Sequence, residues 1–170
     1  HSTSRRQRQM CIRDRVPAKR QFQVFVDYAH TPDALANVLK TLRELQPNRL
    51  ITVFGCGGDR DRQKRPLMAE MADRLADYSI ITSDNPRKED PNSIIAETEK
   101  GFRSNHYEKI VDRTEAINRA VALACARDIV LVAGKGHENY QEFADYTIPF
   151  DDIQVARRAI YERASLEKYV

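Results

Sequence analysis

Four times in this chain a short, apolar, strand-forming run ends abruptly in a polar loop, and a helix-forming stretch follows. The runs are Phe22–Val26, Leu50–Phe54, Tyr78–Thr82 and Ile129–Val132. β-branched and aromatic residues dominate them, as in strands buried on both faces. Between them the spacing switches to three and four. Leu35, Val38, Leu39, Leu42 and Leu45 make one amphipathic helix, begun by Thr31 as a cap and Pro32 in the first turn and ended at Pro47. A helix from Pro66 places Met68, Met71, Ala72 and Leu75 inward. Further helices are expected from about Asn92 to Phe102, Arg113 to Cys125 and Asp151 to Ala164. Short strands are expected at Lys109–Val111 and near Tyr146–Ile148. This alternation predicts an α/β, Rossmann-like fold, a mostly parallel sheet with helices on both faces.

The chain has 170 residues, enough for one ordinary domain with a real core. No internal linker or low-complexity stretch divides residues 22–165, so residues 21–170 read as one domain. Residues 1–20 differ. Of 28 basic and 25 acidic residues they hold seven and one, leaving 21 and 24 for the rest. The net charge of +3 therefore hides a basic tail on a body of net charge −3. The tail is readable as a basic arm for nucleic acid or lipid, as a disordered end, or as non-native sequence, and no function is assigned to it. An acidic body does not make a nucleic-acid-binding face. No apolar run is long enough to span a membrane, and the N-terminus lacks the apolar region of a signal peptide. Cys11, Cys56 and Cys125 are scattered, with no CxxC pair. Reduced cytoplasmic thiols are expected, with no metal site and no disulfide framework.

In open α/β sheets ligands bind beyond the carboxyl ends of the strands. The unusual residues of this chain lie there. They are Asp27-Tyr28-Ala29-His30-Thr31-Pro32-Asp33, the glycine-rich run from Gly55 to Arg65, Ser83-Asp84-Asn85-Pro86-Arg87-Lys88, and Ala133-Gly134-Lys135-Gly136-His137-Glu138. The second loop has glycines that permit close backbone approach to an anion, and Arg60, Arg62, Lys64 and Arg65 to neutralise one. A solvated surface turn has the same composition. It is neither a Walker A loop nor a GxGxxG fingerprint. In the third loop Pro86 stiffens a bend that carries Asn85 and Arg87, an amide and a guanidinium suited to a carboxylate. In the fourth, Glu138 can hold an amino group, while Lys135 and His137 either serve a phosphate or stay in solvent. His30 alone reads as a loop-stabilising residue and Cys56 as a small space-filler.

Taken in order, with their spacing and context, these four loops resemble the C-terminal domain of the Mur ligases, in the branch that adds meso-diaminopimelate, from about Phe22 to Ile160. That resemblance implies an ATP-dependent amide-bond-forming ligase of peptidoglycan-precursor synthesis. ATP phosphorylates a carboxylate of UDP-MurNAc-L-Ala-D-Glu, and the amine of the incoming amino acid attacks the acyl-phosphate. It implies that Arg60, Asp84, Asn85, Pro86, Arg87, Gly134 and Glu138 hold meso-diaminopimelate. Asp27, Tyr28 and His30 would face the nucleotide. Lysine lacks the distal carboxylate and would leave Arg87 unpaired, which disfavours it. The P-loop, the Mg2+ ligands and the UDP-binding domain of the family do not appear in the chain. The expectation is therefore a fragment of the ligase that binds neither ATP nor Mg2+ alone, is inactive without the missing N-terminal and central domains, and carries no catalytic residue of its own. The other readings are a stand-alone, non-catalytic Rossmann-like module for an amino acid or nucleotide, and a lysine-adding or cyanophycin-type relative.

Overall fold

The computed structural model describes residues 22–169. The basic stretch 1–20 lies outside them. The elements in chain order are β1 (Gln23–Asp27), α1 (Pro32–Arg43), β2 (Leu50–Cys56), α2 (Lys64–Leu75), β3 (Tyr78–Ser83), α3 (Pro91–Glu99), β4 (Tyr107–Lys109), α4 (Arg113–Leu123), β5 (Ile129–Ala133), β6 (Tyr140–Glu142), β7 (Thr147–Pro149) and α5 (Asp152–Glu167).

Strands β1 to β5 form one parallel sheet in the order β1-β5-β2-β3-β4. β5 lies between β1 and β2, and all five of its residues are buried. Because successive side chains point to opposite faces, Val130 and Val132 enter one core while Ile129, Leu131 and Ala133 enter the other. Helices α1, α2 and α3 cover the second face through Leu35, Leu39, Met68, Ala72 and Ile95. Helices α4 and α5 cover the first through Ile117, Val121, Ala156 and Ile160. Helices thus cover both faces, as the alternation predicts.

Local chemistry sets the boundaries. Thr31 caps α1, its hydroxyl accepting from the Ala34 N–H at 3.2 Å, and Pro32 opens the helix. Asp90 and Asp112 cap α3 and α4 in the same way. One expectation for the strands is corrected. The fourth strand lies two residues earlier than the apolar run Lys109–Val111 suggests. Its edge pairs Ser79 with Tyr107, and the Ile110 N–H then bonds the Ile81 carbonyl as the chain leaves the sheet. The short strand expected near Tyr146–Ile148 is present as β7, paired with β6 in a separate antiparallel hairpin.

Parallel strands deliver all their following loops to one edge. The four polar loops therefore emerge together, and the β6–β7 hairpin lies against the third. Among the described residues no helix is long and apolar enough to cross a membrane.

Candidate functional site at the carboxyl edge of the sheet

The loop after β3 is built first by its neighbours. The Gln141 amide donates to the Asp84 carbonyl at 2.8 Å, the Glu142 N–H to Asn85 Oδ1 at 3.0 Å, and the Arg87 N–H to the Glu142 carbonyl at 3.1 Å. The hairpin thus holds Asp84 to Arg87 from one side. The glycine loop after β2 holds them from the other. The Gly58 N–H donates to the Asn85 carbonyl at 2.8 Å, and the Gly58 carbonyl accepts from Arg87 Nη1 at 2.8 Å. A Cβ on Gly58 would lie 1.8 Å from the Pro86 carbonyl oxygen, so only glycine permits this approach. Arg87 itself has φ +52°, a left-handed backbone fixed by these contacts on both sides.

The Arg87 side chain, mostly buried, pairs through Nε with Glu142 at 3.1 Å. Its Nη2 makes no hydrogen bond among the described residues. Arg60 is exposed, and its guanidinium donates to the neighbouring Asp59 carbonyl at 3.0 Å. Gly57 lies between the two arginines: a Cβ there would stand 3.0 Å from Arg87 Nη1 and 3.6 Å from Arg60 Cγ.

The loop after β5 joins this cluster through Lys135, which is wholly buried. Its ammonium donates to Asn85 Oδ1 at 2.7 Å and to the Tyr140 carbonyl at 2.9 Å. Asp84 Oδ1 at 3.2 Å and Glu138 Oε2 at 3.7 Å are ion-pair partners. Asn85, Arg87 and Glu138 therefore belong to one connected cluster, with the Glu138 carboxylate about a quarter exposed. Gly134 packs its Cα against the Asp84 carboxylate, where a Cβ would stand 3.3 Å from Oδ2. The loop after β1 closes the remaining side. The Gly134 N–H donates to the Asp27 carbonyl at 3.0 Å, and Gly136, at φ +52°, leaves no room for a Cβ beside Tyr28. Tyr28 is half-exposed and meets His30 edge-on at 4.6 Å, while His30 Nδ1 lies 2.9 Å from the Tyr28 carbonyl. Burial pushes the Asp27 carboxyl upward, against the Ala29 N–H that bonds it at 2.8 Å.

The structure changes three readings of these loops. Arg62 and Arg65 are already paired with carboxylates. Arg65 is buried and pairs with Glu89 and Glu97, and Arg62 also pairs with Glu97. The Gly58 and Asp59 N–H groups bond Asn85 and Glu89 rather than facing outward. Lys135 is neither in solvent nor free for a phosphate; His137 is exposed. Cys56 does behave as a filler, its thiol pushed up to about 11 by burial.

Sequence reasoning missed the deepest charge of the site. Arg113, the first residue of α4, is wholly buried and bidentate to Asp152, the first residue of α5, at 2.8 and 2.7 Å. The same guanidinium donates to the Ser83 and Ala133 carbonyls at 3.0 and 3.1 Å. Those are the last residues of β3 and β5, one step before Asp84 and Gly134. Its paired charge outweighs desolvation and holds its proton more tightly than usual. Among the described residues no group of three or more His, Cys, Asp or Glu side chains is placed to hold a metal ion.

The family of the Mur ligase glutamate ligase domain matches residues 13–136. The chain belongs to the Mur ligase family. It is 56% identical over 146 residues to the UDP-N-acetylmuramoyl-L-alanyl-D-glutamate–2,6-diaminopimelate ligase of Syntrophomonas wolfei, covering 84% of this chain and 30% of that relative. The enzyme of the same name from Chlamydia trachomatis is 57% identical over 141 residues, 82% of this chain and 29% of the relative. A solved structure of such a ligase superposes with TM-score 0.80 at 50% identity, over 87% of this chain and 32% of that one. The chain thus spans about 30% of the length of the relatives it matches. E. coli FolC in complex with ADP shares the fold alone, at TM-score 0.54 and 20% identity. The Rossmann-like Mur ligase domain is accordingly what the four loops build.

Proposed function

We propose that this Mur ligase domain receives meso-diaminopimelate as the incoming amino acid of an ATP-dependent ligase acting on UDP-MurNAc-L-Ala-D-Glu, a cytoplasmic step of peptidoglycan-precursor synthesis. The observation that carries the reading is the joining of Asn85 and Glu138, from the loops after β3 and β5, through Lys135, with Arg87 tied to Asn85 by way of Glu142. The names of the diaminopimelate-adding relatives agree with it.

Meso-diaminopimelate has two carboxylates and two ammonium groups. Arg87, with Nη2 uncommitted, and the Asn85 amide suit the distal carboxylate. Glu138 suits the distal ammonium. Arg60, beside Arg87 across Gly57, suits the carboxylate next to the attacking amine. Asp84, Pro86 and Gly134 shape the walls rather than supply the charge. The domain's part in the reaction is to bind and orient. It holds the amine ready to attack an acyl-phosphate that ATP has formed on the UDP-dipeptide, with phosphate leaving as the amide forms. Tyr28 and His30 offer an exposed aromatic surface to an adenine, and Asp27 stands at its base. ATP supplies the phosphoryl group.

The test is Arg87→Ala in a complete ligase carrying this domain. Losing a charged hydrogen bond costs about 1.5–3 kcal/mol, so KM for meso-diaminopimelate should rise about 10- to 150-fold. KM for ATP should stay unchanged, and preference over L-lysine should fall. An unchanged diaminopimelate KM refutes the reading.

A further inference from the structure

We propose that Lys135 is a positioning residue that locks the Asn85 amide as a one-way donor, so that this side of the site accepts an anionic group and rejects a cationic one. The inference deepens the reading above and rests on it. A carboxamide is normally ambivalent: its oxygen accepts and its nitrogen donates, and a half-turn about the last bond exchanges them. Asn85 has lost that choice. Its Oδ1 faces the Lys135 ammonium at 2.7 Å and the Glu142 N–H at 3.0 Å. Both are donors and neither can accept. Turning the amide would set its NH2 against two N–H groups in a buried place, where an unmade polar contact costs most. The orientation follows from the chemistry of the two neighbours.

The consequence lies on the other end of the amide. Nδ2 makes no hydrogen bond among the described residues, although Asn85 is almost wholly buried. Its two N–H donors are therefore left for a ligand, on the same loop that carries Arg87 with its uncommitted Nη2. An ammonium offered there would meet donors only. A carboxylate would meet donors from both residues. Lys135 need not touch the ligand to produce this. It is wholly buried, donates to the Tyr140 carbonyl at the start of β6, and has Asp84 as a charge partner at 3.2 Å. Its separation of 3.7 Å from Glu138 leaves that carboxylate free to meet a cation on its exposed side. One buried ammonium thus separates the site into a donor half at Asn85 and Arg87 and an acceptor half at Glu138.

Asn85→Asp isolates the donor function without disturbing the support. The substituted carboxylate still offers an oxygen to Lys135 and to the Glu142 N–H, so the melting temperature of this chain should hold or rise. The free NH2 becomes an oxygen that repels a carboxylate, so KM for meso-diaminopimelate in the complete ligase should rise by about tenfold or more. An unchanged KM overturns the donor assignment. A double-mutant cycle then tests Lys135. Lys135→Met should raise KM for meso-diaminopimelate, with KM for ATP unchanged. In an Asn85→Ala background the same change should add less than about twofold, because the effect passes through Asn85. Equal effects in both backgrounds, or none in either, overturn the positioning role. Lys135→Gln keeps one neutral donor for Asn85 Oδ1. It should recover part of the KM, and it replaces Met in the cycle if the Met variant fails to fold. Arg87→Ala judges the underlying reading separately: if it moves the diaminopimelate KM and the cycle shows no coupling, only the Lys135 inference falls.

Discussion

Arg113 and Lys135 are both wholly buried cations at the same edge of one sheet, yet their surroundings differ in kind. Arg113 is held by a bidentate carboxylate, and its other hydrogen bonds go to backbone carbonyls at the ends of β3 and β5, with Asp84 and Glu138 acting on its charge from further off. Lys135 touches side chains that the ligand would meet, and its acidic partners, Asp84 and Glu138, are partly exposed. The first arrangement ties two strand ends to the N-termini of α4 and α5 and sets how far apart two loops begin. The second arranges polar groups within the space so defined. Planarity suits Arg to the first task, because a fork can serve four oxygens at once. A compact, rotatable ammonium suits the second, where partners converge from several directions. The pair separates the frame of a site from its recognition.

The sharpest way to break that contrast is to remove the frame. Arg113→Met leaves Asp152 buried without its partner and takes donors from the Ser83 and Ala133 carbonyls. Such a change costs about 3–5 kcal/mol, and urea unfolding should show it. The double variant Arg113→Met/Asp152→Leu should recover much of the loss, since no uncompensated charge remains. A loss below about 1 kcal/mol in the single variant would place Arg113 among ordinary surface pairs and erase the distinction.

Gly58→Ala strikes the join between frame and recognition. Its Cβ would overlap the Pro86 carbonyl, so the backbone of one loop must move away from the other. Stability should fall by about 1–3 kcal/mol, measured by thermal melting, and the bond from Arg87 to the Gly58 carbonyl should be lost with it. A neutral substitution would mean that the two loops are not mutually braced.

Much of the frame was legible in the sequence, and much of the recognition was not. Near-continuous apolar runs of strand length, and helices with a period near 3.6, report burial directly, so the parallel sheet and its covered faces could be read. The start of α1 at Thr31 follows from local chemistry, but its end does not: the helix stops at Arg43, ahead of Pro47, and Leu45, expected on its inner face, is exposed. Arg113 was invisible because an arginine at the start of a helix reads as solvent-facing. Its partner Asp152 lies 39 residues on, and nothing local joins them. Lys135 between two glycines reads as a mobile tip. It is buried because Gly136 lets the loop close against Tyr28. Arg62 and Arg65 read as anion ligands because their partner Glu97 lies a strand and a loop further on, in α3. The β6–β7 hairpin, with Gln141 and Glu142 bracing the third loop, carries too few residues for any period to show.

Arg65 supplies the smallest and most discriminating test, since it is a buried cation whose partners are partly exposed. Arg62 and Arg65 together hold the Glu97 carboxyl down at about 2. In the unfolded chain it titrates near its ordinary value of 4.5. A depressed carboxyl pKa contributes stability that is complete above the unfolded value and is lost as pH falls toward the folded one. Melting temperature should therefore decline from pH 4.5 toward about 2, and Glu97→Gln should flatten that decline by lowering the melting temperature at pH 7 while leaving it little changed near pH 2. Added salt should weaken the Glu97 contribution, because its carboxylate and the Arg62 side chain both reach solvent. The Arg113–Asp152 pair, with both side chains fully buried, should be nearly indifferent to the same salt. Equal salt sensitivity in the two places would mean that burial does not distinguish them. Unequal sensitivity ranks these buried cations by how far water reaches their partners.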